Sequence, residues 1–162
     1  MASQPVILPS TTCKMEKQRT PKNIFVSGPI SPEKIAQSIA NHSSKTDIGG
    51  HSIFLGQVRA DEKEGGKVVS IVYSAYEEMA LEKAFEIREA IFAKYPLTCM
   101  HIYHSLGEVK VGEICLFVFT SSKHRKAAID ACSELVERIK KEVPVWGKEI
   151  VDNQAEVWKE NR

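Results

Sequence analysis

The sequence predicts an α+β domain, with packed helices covering a mainly antiparallel sheet. Three observations lead there. Residues 68–76 (VVSIVYSAY) are β-branched and aromatic, the composition of a strand. From residue 77 to 95 the apolar spacing changes: Leu81, Ala84, Phe85, Ile91, Phe92 and Tyr95 recur at helical steps, and Pro96 stops the run. Two more strand-like runs, 99–106 and 113–120, then follow across residues 107–112, before another helical pattern. The order strand, helix, paired strands, helix is that of an α+β fold.

Taken in order, residues 1–22 hold three prolines and many polar side chains without a sustained period, and read as a flexible leader. A single domain is expected over 23–162. Residues 23–27 (NIFVS) suit a short strand. Ser31 and Pro32 supply an N-cap and a first-position proline for a short helix, with Ile35 and Ile39 on its apolar stripe, ending near Asn41. Residues 49–59 (GGHSIFLGQVR) read as a strand, with Ile53, Leu55 and Gln57 on one face and Phe54, Gly56 and Val58 on the other. The tract 60–67 (ADEKEGGK) lacks an apolar anchor and is expected to be a mobile loop. After the paired strands, Ser121 or Ser122 is placed to cap a helix carrying Ala128, Cys132, Leu135 and Ile139 on one face, and Pro144 ends it. Residues 145–150 and 156–158 suit short terminal strands.

Composition bounds the function. A length of 162 residues buries a core without metal or disulfide support, and 43% hydrophobic with 27% charged residues is ordinary for a globular protein. A net charge of +1 supplies no global field towards nucleic acid or membrane, so any anion site must be local. Cys13, Cys99, Cys115 and Cys132 form no CxxC and show no metal-type spacing, which suits a reducing compartment. No run is long enough for a membrane span or reads as a signal peptide, so a cytoplasmic protein is expected.

Three clusters have the chemistry of a site. Residues 121–125 (SSKHR) fall where a strand gives way to a helix, so free N–H groups and the positive dipole end gather beside Lys123, His124 and Arg125. Cations placed where they oppose the dipole point to an anionic ligand. Arg59 ends a strand beside the 60–67 tract, where its fork suits phosphate, and Phe54 offers a ring for stacking, although alone it reads as core. Residues 139–149 (IKKEVPVWGKE) bring Lys140, Lys141 and Lys148 beside Val143, Val145 and Trp146, where a lysine can act as proton donor or acceptor. No cysteine has matching basic neighbours that would make it an obvious nucleophile, and no Ser–His–Asp pattern or phosphate-binding glycine loop is present. The residues themselves stop at an α+β domain with a basic, anion-binding site, which a nucleophile from elsewhere would fit.

Five segments in order resemble the large subunit of molybdopterin synthase: FLGQVR (54–59), VSIVYSAYEEMA (69–80), HSLGEVKVGE (104–113), TSSKHR (120–125) and KKEVPVWGKE (140–149). The resemblance spans roughly residues 48–158. It implies an α/β hammerhead-like fold and a homodimer that binds a ubiquitin-like small subunit at each end. It also implies transfer of sulfur from that subunit's C-terminal Gly-Gly thiocarboxylate to cyclic pyranopterin monophosphate, forming the dithiolene without metal or organic cofactor. On this resemblance Lys140 meets the thiocarboxylate, Lys148 is a second catalytic candidate, and Phe54, Arg59, His124, Arg125 and Arg162 match substrate-binding positions.

Two departures stand out. The family commonly has a lysine directly after the last motif's tryptophan, where this chain has Gly147; Lys148 comes one residue later and, in an extended chain, faces the other way. Restoring lysine at 147 is expected to be tolerated. An arginine is frequent after the His104 position, where this chain has Ser105. The alternative reading is a catalytically inert binding module for the same partner. Gly147 favours it, while Lys140, Arg59, His124 and Arg125 argue against it. A nucleic-acid binder is disfavoured by the near-neutral charge.

Overall fold

The longest strand, Leu97–Lys110, has fourteen residues and carries the other elements on its two sides. The computed structural model describes residues 20–63, 65–153 and 156–159. In chain order the elements are β1 (Phe25–Ser27), α1 (Pro32–Ala40), β2 (Gly50–Gln57), β3 (Glu62–Lys63), β4 (Gly66–Ala75), α2 (Glu77–Lys94), β5 (Leu97–Lys110), β6 (Ile114–Ser122), α3 (Arg125–Glu142), β7 (Val145–Val151) and β8 (Glu156–Trp158). The expected leader falls almost wholly outside the described residues.

The strands form one sheet in the order β2-β6-β5-β4-β7-β8, with β3 on β4 and β1 on β5. Pairing is antiparallel except for β1, which runs parallel to β5. The first part of β5 pairs with β6, from Leu97 opposite Ser122 to His104 opposite Leu116. Its second part pairs with β4, from Gly107 opposite Tyr73 to Lys110 opposite Ser70. Gly107 takes φ +83° at this change of partner, a left-handed conformation that glycine enters without a Cβ clash.

Both faces of β6 are covered, as its alternation requires. Leu116 and Val118 join the main core with Ile87 and Ile91 of α2 and Leu135 and Ile139 of α3, while Phe117 and Phe119 pack with Ile30 on the other face. The buried positions of α2 (Ala80, Ala84, Ile87, Ile91) follow steps of three and four. Ser31 caps α1 as its sequence suggests: its hydroxyl accepts from the Lys34 N–H at 3.2 Å, with Pro32 opening the helix.

Three local expectations change. β5 does not end near residue 106; it continues through Gly107 to Lys110, and the reversal falls at Gly112, φ +86°. Within the 60–67 tract, Glu62 and Lys63 pair antiparallel with Lys67 and Gly66, and Gly65 and Gly66 take positive φ. Neither serine caps α3, because β6 runs through Ser122. Ser121 Oγ meets His51 Nδ1 at 2.8 Å and Ser122 Oγ donates to the Pro96 carbonyl at 2.8 Å, so α3 begins after His124 without a side-chain cap bond.

Leu135 is fully buried between α3 and the sheet. Leu135→Ala is expected to cost about 2–5 kcal/mol, from lost transfer energy and the cavity left behind. Urea unfolding checks this: the midpoint falls while the slope stays unchanged.

Candidate active site

A narrow cavity of about 80 Å³ opens at the C-terminal end of α3. Its lining includes Gly56, Tyr73, His104, Lys140, Gly147 and Lys159. Lys140 reaches it because Ile139, 3% exposed, pins the last turn of α3 to the core. Two cations in that turn, Lys140 and Lys141, also complement the helix dipole. Apolar walls come from Leu116, Ile139, Val143 and Val145, and the two glycines leave backbone where side chains would project. Such a cleft admits a slim chain with an anionic end.

The groups around Lys140 are held in defined protonation states. His104 titrates below the usual imidazole range, chiefly because it is buried, with Lys140 and Lys159 adding to the effect; its hydrogen bond to the Ser105 carbonyl opposes it. It is therefore a neutral ring at pH 7. Tyr73, whose ring meets His104 edge-on at 5.2 Å, is pushed far up by burial and then by Cys115 and Glu149, so it stays a phenol. Cys115 donates its thiol to the Gly56 carbonyl at 3.3 Å. Glu149, 3% exposed, is ion-paired to Lys63 at 2.8 Å.

β7 stays in register with β4 through Gly147, which lies opposite Tyr73. No bend turns Lys148 inward. Its side chain takes the other face, ion-paired with Glu156 and with its ammonium 5.8 Å from the Trp158 ring centre, and it does not line the cavity. The second cation in the cavity is Lys159, which the sequence reading did not single out. Its N–H donates to the Gly147 carbonyl at 2.9 Å, just beyond the Lys148–Trp158 pair of the β7–β8 ladder. Cross-strand partners share a face, so Lys159 projects over the side of β7 that Gly147 leaves bare. Ser105 is fully buried and absent from the lining, so its difference from the family's arginine leaves this cavity unchanged.

The remaining expected site residues lie elsewhere. Phe54 packs against the main core, as its isolated reading suggested, with its ring edge beside Gly56. Arg59 is highly exposed just past β2 and pairs with Asp61 at 3.0 Å. His124 and Arg125 line a separate, open depression with Gly49, Lys123, Lys126, Ile129 and Asp130 at the start of α3. At 1.5 Å per residue, about 22 Å of helix separates Arg125 from Lys140. One chain thus divides the expected residues between two ends of α3. Arg162 lies outside the described residues.

A family model described as MoaE protein matches residues 25–142. The chain is 43% identical over 124 residues to a molybdopterin synthase catalytic subunit from Pyrococcus abyssi, covering 76% of this chain and 82% of that protein. The chain belongs to the MoaE protein family. A relative of the same name in Drosophila grimshawi is 42% identical over 115 residues, 70% of this chain, and the matched part spans 32% of that longer protein. The solved molybdopterin synthase of Staphylococcus aureus superposes with a TM-score of 0.73 at 33% identity, covering 84% of this chain and 95% of that one. A complex of subunits 1 and 2 of molybdopterin-converting factor from Helicobacter pylori shares the fold, with a TM-score of 0.72 at 17% identity over 85% of this chain and 90% of that one. The α+β fold expected from the sequence, with its mainly antiparallel sheet, is the one these structures share.

A side chain at position 147 needs its neighbours to move. A Cβ there meets Ile71 Cγ2 at 2.9 Å and the Tyr73 ring at 3.3 Å, both in the core, which counts against the expected tolerance. Gly147→Lys is expected to lose about 1–3 kcal/mol through overpacking, seen as a lower thermal midpoint. An unchanged midpoint would mean that Ile71 and Tyr73 yield freely.

Proposed function

We propose that this chain is a sulfurtransferase, the catalytic subunit of a molybdopterin synthase. The observation that carries the reading is Lys140 in a narrow, glycine-edged, apolar-walled cavity, in a chain of this family. The C-terminal Gly-Gly tail of a ubiquitin-like small subunit enters this cavity, and its thiocarboxylate lies at Lys140 and Lys159. Two ammonium groups there stabilise the anionic sulfur and then the charge developing on the acyl oxygen. Sulfur leaves the acyl carbon for cyclic pyranopterin monophosphate, and the tail ends as a carboxylate once water supplies the replacing oxygen. His104 is neutral beside them and can relay a proton.

The distance along α3 supports a homodimer within the heterotetramer. A small phosphorylated pterin does not span about 22 Å of helix. In our reading the His124–Arg125 depression of one copy therefore serves the Lys140 cavity of the other, with Arg59 and Phe54 at its margin. Arg162 remains a proposed contributor. Neither metal nor organic cofactor takes part in this transfer. Among the described residues no helix is long and apolar enough to cross a membrane, and we take the protein to act in the cytoplasm. Gly147 is the feature that favours an inert module; Lys159, which lines the cavity beside it, supports the catalytic reading.

Single-turnover assays with a thiocarboxylated small subunit test the assignment. Lys140→Ala is expected to abolish product formation nearly completely while still binding the small subunit. Lys159→Ala should slow the step at least tenfold, and Lys148→Ala should change it little, because its ion pair lies on the outer face. Full activity in Lys140→Ala would sink the mechanism; a larger defect in Lys148→Ala than in Lys159→Ala would reverse the ranking of the second lysine.

A further inference from the structure

Away from the Lys140 cavity, three donor atoms from distant parts of the chain meet. His42 Nε2 and Cys99 Sγ are 3.0 Å apart, Cys99 Sγ and His101 Nε2 are 3.0 Å apart, and the two imidazole nitrogens are 3.2 Å apart. Cys99 and His101 share a face of β5 because they are two residues apart in a strand. His42 comes from the turn after α1, is 6% exposed, and is wedged edge-on against the buried ring of Phe119 at 4.8 Å.

Hydrogen bonding alone leaves this triangle unsatisfied. His42 Nδ1 lies 2.6 Å from the Ser38 carbonyl, which only accepts, so the ring proton sits on Nδ1 and Nε2 presents a lone pair. The three contacts then share at most the thiol proton and one His101 proton. At least one side of the triangle therefore has no proton of its own to make a hydrogen bond. A cation at its centre makes all three contacts favourable. Pinning the far ring nitrogen on a backbone carbonyl is also how metal-bound histidines are oriented.

We infer that His42, Cys99 and His101 form a binding site for one divalent cation of the zinc class, with solvent in the fourth position. Two imidazoles and a thiolate are a borderline-soft donor set that suits Zn²⁺. Tetrahedral bonds of about 2.0–2.3 Å place donor atoms about 3.3–3.6 Å apart, so the triangle needs to widen by only a few tenths of an ångström. On binding, Cys99 releases its thiol proton to solvent and both rings coordinate as neutral bases. Lys45 Nζ donates to Cys99 Sγ at 3.4 Å. His51 stacks on Phe119 nearby, but its Nδ1 faces Ser121, and it stays outside the triangle. The bound ion clasps the end of α1 to the middle of β5, a role separate from sulfur transfer.

Cobalt tests this on the untagged full chain after chelator treatment. Titration with Co²⁺ is expected to saturate at one ion per chain, with visible bands of tetrahedral cobalt and a near-ultraviolet sulfur-to-cobalt band, both lost on adding Zn²⁺. Cys99→Ser should abolish the sulfur band, and His101→Ala should weaken binding at least tenfold. Without any substitution, Zn²⁺ should slow alkylation of Cys99, read by mass spectrometry, at least tenfold. No saturable cobalt binding, a sulfur band that survives Cys99→Ser, or equal alkylation with and without Zn²⁺ would overturn the site.

Discussion

β5 passes from one antiparallel partner to another, and the place where it does so, flanked by the parallel β1, sets the geometry of the molecule. Up to His104 it is held by β6, and from Gly107 it is held by β4. A strand can change partners this way only where its backbone can turn, and Gly107 at φ +83° provides that freedom. The Lys140 cavity lies at this seam. Gly56, Cys115 and Leu116 reach it from the β2–β6 side, Tyr73 and Gly147 from the β4–β7 side, and His104 from β5 itself. The end of α3 closes it with Lys140. The cleft is thus a product of the sheet's change of direction.

The seam also governs where charge sits. Position 147 faces the core side of β7, where Ile71 and Tyr73 leave no room even for a Cβ. The cation on that side comes from Lys159, the residue after β8, whose N–H bonds the Gly147 carbonyl. Two ammonium groups beside a buried imidazole favour its neutral form, and His104 responds in that direction. α3 imposes the second constraint. It keeps the basic residues at its start away from the lysine at its end, which is why our proposal brings in a second copy.

Much of the fold was legible in the sequence. The stripe of α3 was legible because Ala128, Cys132, Leu135 and Ile139 are all buried, whereas in α2 only Ala84 and Ile91 of the expected stripe are buried; Pro96 and Pro144 follow the two helices closely. What stayed hidden depends on long-range pairing. Nothing local in Gly107 distinguishes a turn from a change of partner. The 62–67 pairing has no apolar pattern because it lies at the surface with only four paired residues. Within the site, Lys140 was legible from its motif and its helix, and the outward direction of Lys148 from strand alternation. Lys159 was not legible, because its position depends on the β7–β8 register. Cys99 and His101 sit two residues apart, but the third donor of that cluster, His42, is brought in only by the fold.

The central claim is that the Lys140 cavity receives the tail of a ubiquitin-like subunit. Calorimetric titration of this chain with that subunit, intact and lacking its terminal Gly-Gly, tests it most directly. Truncation is predicted to weaken binding by at least tenfold, with the remaining contact made by the globular surfaces. Equal affinity for the intact and truncated partners would contradict the account, because the cavity would then contribute nothing to recognition.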